Sequence, residues 1–273
     1  MIKSLFIAPL LVATYLIGSI HQNDQEPQSP NNPVEAYIDL IKKVLVNTIY
    51  EDAHFGGPYD AYTREVGGDW PLVAHTMIGT KRLDNIHKCL EDVLKNNIPG
   101  DCIETGVWRG GATILMRAIL HAYGDKTRKV WVADSFDGLP PPNVIKYPAD
   151  KICDLSQERR LAISVEQVQE NFKKYGLLDK QVVFLKGFFC DSLPEVPIER
   201  LALLRLDGDM YESTIEALEN LYPKLSIGGY ILIDDFGCIP ICAQAVNEYR
   251  ELHQIDDPIL WVDGTGVYWK KTK

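Results

Sequence analysis

Basic charge is scarce in this chain: 28 Lys and Arg stand against 38 Asp and Glu over 273 residues, for a net charge of −10. Nucleic-acid binding rests on basic side chains that neutralise phosphates, so a nucleic-acid partner is excluded. Cysteine is present without a pattern. Cys89, Cys102, Cys153, Cys190, Cys238 and Cys242 form no CxxC pair and no zinc-ligand spacing. Their even number permits disulfides in an oxidising lumen but does not demand them. Cys102 falls in an apolar run and reads as a small hydrophobe. Long hydrophobic runs are also missing. The most apolar one, Leu5 to Ile17, is shorter than the roughly 20 residues of a membrane span. With Met1-Ile2-Lys3 before it and Gly18-Ser19 after it, it has the form of a signal-peptide core. Residues 1–20 are therefore read as a signal peptide or an uncleaved signal anchor, which implies the secretory lumen or membrane association through the N-terminus. If the run is a plain extension, the chain is cytoplasmic. Residues 21–33 carry Asn, Gln, Ser and Pro without periodicity and read as a flexible linker. Repeats and low-complexity arrays are absent.

What remains, residues 34–273, reads as one α/β domain. Val34 to Tyr50 has apolar residues at helical spacing, and Gly56-Gly57-Pro58 stops any continuation. Asp52 to Pro71 is polar and Gly-rich with Tyr59, Tyr62 and Trp70, the composition of a mobile loop over a site. A helix is predicted from Arg82 to Asn96, ended by Pro99-Gly100. Strands and helices then alternate: a strand at Asp101–Thr105, a helix at Ala112–Ala122, a strand at Lys129–Ala133, a helix at Ile163–Tyr175, a strand at Gln181–Leu185, a strand at Leu201–Leu206 and a helix at Ser213–Lys224. Strands joined through single helices imply right-handed crossovers and a parallel sheet covered on both faces. The segment from Ile259 to Trp269 instead reads as a hairpin around Asp263-Gly264-Thr265-Gly266, so a mostly parallel sheet with an antiparallel C-terminal end is expected.

The strongest signal is acidic. Leu201–Leu206 runs into Asp207-Gly208-Asp209-Met210-Tyr211, and Gly229–Ile233 runs into Asp234-Asp235-Phe236. Ligands of an open parallel sheet bind beyond the carboxyl ends of its strands. Carboxylates converging there must be protonated, solvated or neutralised by a cation, and an all-oxygen set suits Mg²⁺ or another hard ion. Helix caps and turn residues are the plainer reading of the same aspartates. Adjacent residues of a regular strand face opposite ways, so Asp234 and Asp235 can act together only where the chain leaves the strand.

A second signal joins the first strand to its helix. Glu104-Thr105-Gly106-Val107-Trp108-Arg109-Gly110-Gly111 lacks the GxGxxG of a dinucleotide fold, and an acid at its mouth would repel a pyrophosphate. Glu104 instead suits a cationic ligand such as the amino group or sulfonium of S-adenosylmethionine. One strand later, Asp134 of Trp131-Val132-Ala133-Asp134-Ser135-Phe136 stands where a carboxylate accepts ribose hydroxyls.

Together these segments, with Ala74-His75-Thr76-Met77-Ile78-Gly79, resemble the macrocin O-methyltransferase family, class I enzymes with a Rossmann-like sheet and an N-terminal helical cap. The similarity runs from about Val34 to Phe236 and on to the C-terminus. It implies a magnesium-assisted, S-adenosylmethionine-dependent O-methyltransferase acting on a sugar or glycosylated small molecule. By that resemblance Asp209, Asp234 and Asp235 correspond to magnesium ligands. Glu104, Gly106 and Asp134 fall on cofactor contacts, with Thr105, Gly110, Ser135 and Asp207 beside them, and Gly187-Phe188-Phe189 falls where the adenine packs. The apolar N-terminus and the Cys-containing tail after Phe236 depart from the family. Asp209 is the preferred base, with its choice over Asp207 open, and His75 is a second candidate. Trp70 and Tyr62 are candidates for stacking on the acceptor. A catechol-type methyltransferase and a non-catalytic binding module of the same fold are the rival readings, and homo-oligomer formation is left open.

Overall fold

The computed structural model describes residues 32–273; the signal reading of residues 1–20 and nearly all of the 21–33 linker lie outside the described residues. Helix α1 spans Pro33–Leu45. It starts there because the Asn32 side chain accepts from the Val34 N–H and Pro33 supplies a preset φ at the first position. Helix α2 is a short Ala61–Glu65 segment, and α3 runs Gly79–Lys95. Strand β1 (Asp101–Thr105), α4 (Gly111–Ala122), β2 (Val130–Asp134), α5 (Val165–Lys174) and β3 (Val182–Lys186) follow. Next come α6 (Phe189–Ser192), β4 (Leu201–Leu206), α7 (Tyr211–Leu221), β5 (Leu225–Ile233), α8 (Pro240–Leu252), β6 (Leu260–Trp261) and β7 (Val267–Lys270).

The strands form one seven-stranded sheet in the order β3-β2-β1-β4-β5-β7-β6. β1 to β5 pair in parallel, β7 is antiparallel to β5, and β6 closes a hairpin with β7. The order reverses between β1 and β4, which opens a crevice beyond their carboxyl ends. Side chains alternate between two cores. Cys102, Val130, Val132 and Leu203 pack on one face with residues of α1, α3, α4 and α5. Ile103, Trp131, Leu204 and Ile231 pack on the other with α7 and α8.

Two expectations change. Residues 52–71 are tied to the domain by buried ion pairs, although Gly67, Gly68 and Trp70 do line the cavity described below: Arg64 of α2 is fully buried, its Nε donates to Asp69 at 2.9 Å, and its Nη1 donates to Asp52 at 2.9 Å and to the Val46 carbonyl at 2.7 Å. A buried guanidinium without such partners would be very costly, so the ion pairs dictate the path of the loop. Helix α8 was not expected; its buried stripe of Ile241, Cys242, Ala245, Val246 and Tyr249 includes two small residues, Cys242 and Ala245. Among the described residues, no helix is long and apolar enough to cross a membrane.

Candidate active site

A cavity of about 730 Å³ opens at the carboxyl ends of β1, β2, β4 and β5. Asp207 and Asp209 follow β4, and Asp234 and Asp235 follow β5, whose last residue is Ile233; all four line the cavity. The chain has left the strand at Asp234, so neighbouring aspartates reach the same space. None of the four caps a helix by its side chain. α7 and α8 start from Met210 and Ile239 without a side-chain cap from those residues, so the cap reading does not describe the cluster.

Asp207, Asp234 and Asp235 each offer a carboxylate oxygen within 4.8 Å of the others. Asp207, not Asp209, is thus the member of the β4 pair that geometry groups with Asp234 and Asp235. The cluster sits on buried guanidinium groups. Arg205 of β4 donates to Glu104, to Asp207 at 2.7 Å and to Asp234. Arg82 of α3 donates to the other oxygen of Asp234 and to Asp263 at 3.0 Å. Asp209 is different. Its backbone takes a left-handed φ of 62°, and its N–H donates to Asp235 at 3.2 Å. Its carboxyl is pushed up to about 7 by desolvation first, then by the charges of Asp207 and Asp234. Desolvation, with Asp234 beside it, likewise raises Asp207 to about 6. Asp235 is raised well above the ordinary carboxylate range by burial and then by Asp209 and Asp207.

The β1–α4 turn lies against this cluster. Gly106 has φ 84°, and a Cβ there would stand 1.7 Å from the Asp207 carbonyl oxygen. Only glycine permits that approach. Glu104 is buried; one oxygen faces Arg205, while Oε2 has no partner in the protein. Burial pushes its carboxyl up to about 8. Asp134, at the end of β2, accepts from the N–H groups of Val107 and Phe136, each at 2.8 Å, which fixes its carboxylate plane at the cavity wall.

Glu104, Gly106, Asp134, Ser135, Phe188 and Phe189 line the cavity, whereas Thr105, Gly110 and Gly187 do not. Gly110 shapes the turn from beneath with φ 88°, where a Cβ would meet Val168 at 2.7 Å. His75 is also outside the lining: its Nδ1 pairs with the Tyr175 hydroxyl at 2.7 Å. Burial, then Lys174 and Arg109, lower it to about 4. A histidine turned to Tyr175 does not reach the reacting groups, so His75 is withdrawn as a base. Trp70 lines the cavity and Tyr62 does not. Sequence reasoning passed over Arg205 and Arg82, although a lone arginine in the apolar Leu201–Leu206 run was a signal. It also passed over the wall formed by Leu139 to Asn143, Leu155 and Leu161, because a Pro-rich connector announces no ligand.

A model of the Macrocin-O-methyltransferase (TylF) family matches residues 53–271. The chain belongs to this family. It is 53% identical over 244 residues to the 8-demethyl-8-(2,3-dimethoxy-alpha-L-rhamnosyl)-tetracenomycin-C 4'-O-methyltransferase of Streptomyces olivaceus, across 87% of this chain and 93% of that protein. It is 49% identical over 253 residues to the mycinamicin III 3''-O-methyltransferase of Micromonospora griseorubida, across 89% of this chain and 99% of that one. The solved O-methyltransferase NovP superposes with a TM-score of 0.86 at 52% identity, covering 88% of this chain and all, 100%, of its own. The fold is that of the class I methyltransferases, and the chain is an O-methyltransferase, as the family resemblance implied.

Proposed function

We propose that this enzyme moves the methyl group of S-adenosylmethionine to a hydroxyl of a glycosylated small molecule, with Asp209 as the proton acceptor and a divalent cation beside it. The observation that carries this reading is the grouping of Asp207, Asp234 and Asp235 around one point, with the otherwise unpaired Asp209 carboxyl next to it. The relatives' names, which specify sugar hydroxyls, support the acceptor class.

The donor's cationic part fits Glu104, whose buried Oε2 has no other partner, and its ribose fits Asp134. Phe188 and Phe189 offer an apolar surface for the adenine. The donor set of the aspartate trio also suits a hard cation: the carboxylates are oxygen ligands, the charge of Asp234 raises the proton affinity of Asp207 and Asp235, and the two arginines do not match the trio's combined charge. Asp207, Asp234 and Asp235 would hold that ion. When bound, it supplies Lewis-acid polarisation of an acceptor hydroxyl. The protein aligns the acceptor oxygen with the methyl carbon and sulfur for in-line displacement. As the O–CH₃ bond forms and the S–CH₃ bond breaks, the hydroxyl proton passes to Asp209, leaving S-adenosylhomocysteine and the methyl ether.

Arg82 is the sole cation among the described residues lining the cavity, and Asp234, Asp263 and the Val66 carbonyl already engage it. Leu139, Pro140, Leu155 and Ile239 add apolar wall. Such a cavity favours a neutral glycoside over a sugar bearing a pyrophosphate. The test is calorimetry with S-adenosylmethionine, then methyl transfer to neutral glycosides, nucleotide sugars and catechols with and without EDTA. Binding of the donor and EDTA-sensitive turnover on glycosides are expected. Preference for catechols would replace the sugar reading, and full activity in excess EDTA would remove the cation.

A further inference from the structure

The segment between β2 and α5 supplies one wall of the cavity through Leu139 to Asn143, Leu155 and Leu161. In its middle a short 3₁₀ turn, Pro148–Ile152, carries Asp150, whose relative exposure is 0%. Asp150 Oδ1 accepts from the Tyr211 N–H at 2.8 Å, and Oδ2 accepts from the Glu212 N–H at 3.0 Å. Those are the first N–H groups of α7, which has no side-chain cap from Met210. An N-cap carboxylate normally comes from the residue just before the helix; here it comes from a loop about sixty residues away in sequence, 61 from Tyr211.

The place it grips matters. Asp209 precedes Met210 and Tyr211 directly, with a left-handed φ of 62°. A non-glycine residue keeps that conformation only while its surroundings hold it. On the strand side, the Asp207 N–H donates to the Thr105 carbonyl at 2.9 Å, and Ser213 Oγ donates to the Gly208 carbonyl. On the helix side, Asp150 holds Tyr211 and Glu212. The same loop has a second attachment lower on α7: the Tyr147 hydroxyl donates to Glu216 at 3.2 Å, and the Tyr147 and Tyr211 rings lie 5.9 Å apart.

We propose that Asp150 is a positioning residue that ties the acceptor-side wall to the turn carrying Asp209, so that enclosing the acceptor and placing the base are one event. This inference rests on the reading of Asp209 as the base. It does not depend on the cation. The Tyr147 hydroxyl docks the same wall on Glu216 and bonds none of the first N–H groups of α7, so the two hydrogen-bonded attachments divide the functions: that of Tyr147 serves enclosure and that of Asp150 serves both.

The test compares Asp150→Ala, Asp150→Asn and Tyr147→Phe in steady-state methyl transfer, with calorimetry of S-adenosylhomocysteine on each. D150A should lower kcat at least tenfold and raise the acceptor KM, while product-nucleoside affinity stays within about threefold, because Glu104 and Asp134 lie on other strands. D150N keeps one of the two accepting oxygens and should recover part of kcat. Y147F should raise the acceptor KM with kcat near wild type. If D150A melts earlier yet keeps wild-type kcat and KM well below its melting temperature, Asp150 is merely structural and the proposal is overturned. A D150N as slow as D150A overturns it too, since capping would not be the cause. If D150A is too unstable to purify, Y147F and D150N still decide: a Y147F that loses kcat as much as KM contradicts the division of roles. Should Asp209→Asn retain full turnover in the same assay, it is the base assignment that fails, a result separable from any of these.

Discussion

Asp209 joins a left-handed backbone to a carboxyl shifted to about 7 by desolvation and by Asp207 and Asp234. A base works only when unprotonated, so kcat should rise with pH through that region and level off above it. A cation on the neighbouring carboxylates would draw the rise to lower pH, and a pH–rate profile at low and saturating Mg²⁺ measures the displacement. Asp209→Asn, which accepts no proton, should cost about 10²–10⁴ in kcat while leaving donor affinity within a few-fold. Glu104 gives the complementary outcome. Glu104→Gln keeps an acceptor for Arg205 and removes the negative charge that the carboxyl takes up when a cationic group faces its unpaired Oε2. It should weaken S-adenosylmethionine by about 1.5–3 kcal/mol, roughly ten- to a hundredfold, as read by calorimetry. An unchanged dissociation constant would move the donor's cationic group away from Glu104.

Among the elements, the β1–α4 turn and the β4 terminus act as one piece, because the Gly106 position leaves no room for a Cβ beside the Asp207 carbonyl. Gly106→Ala should therefore damage donor and cation binding together and lower the folding free energy, by at least the roughly 1–3 kcal/mol typical of a strained or overpacked substitution, as read by denaturant melts; a variant that loses only one ligand would show the two loops to be independent. How far these elements were legible in the sequence follows from what each residue had to signal. β1 and β4 match their expected bounds, Asp101–Thr105 and Leu201–Leu206, because an apolar run ending in acid is read directly. Glu104 and the four aspartates could be found for the same reason. The mutual arrangement of those aspartates could not, since grouping Asp207 with Asp234 and Asp235 while leaving Asp209 apart depends on a left-handed residue invisible in composition. α8 was hidden by Cys242 and Ala245, which dilute its apolar stripe. His75 looked chemical because histidine is chemical; only the fold shows it turned toward Tyr175. Arg64 and Asp150 act through partners distant in sequence, and no local pattern announces such pairs.

At the scale of the whole molecule, the acidic site sets stability against function, and pH exposes the conflict. Glu104, Asp207, Asp209 and Asp235 all have carboxyls raised by burial and by one another. A raised carboxyl binds its proton more tightly when folded than when unfolded, so its contribution is fully present below the unfolded value and is lost as pH climbs through the folded one. For Asp209 that window runs from 3.8 to about 7. Other carboxylates oppose the trend, including Asp52 and Asp179, which their arginine partners help hold below the usual range. The informative quantity is therefore a difference. Asp209→Asn carries no titrating group there, so wild type should lose stability relative to that variant between about pH 4 and about pH 7 and level off above, by up to about 1.4 kcal/mol for every tenfold by which folding tightens the carboxyl's hold on its proton. Divalent cation should reverse the loss. It binds the ionised cluster and competes with protons, so Mg²⁺ should raise the wild-type melting temperature more at about pH 8 than at about pH 5, with EDTA returning it to the starting value. Thermal melts of both proteins across that range decide the matter. A wild type and an Asp209→Asn variant that melt in parallel at every pH, with no response to Mg²⁺, would mean that the cluster is neither charged nor a cation site.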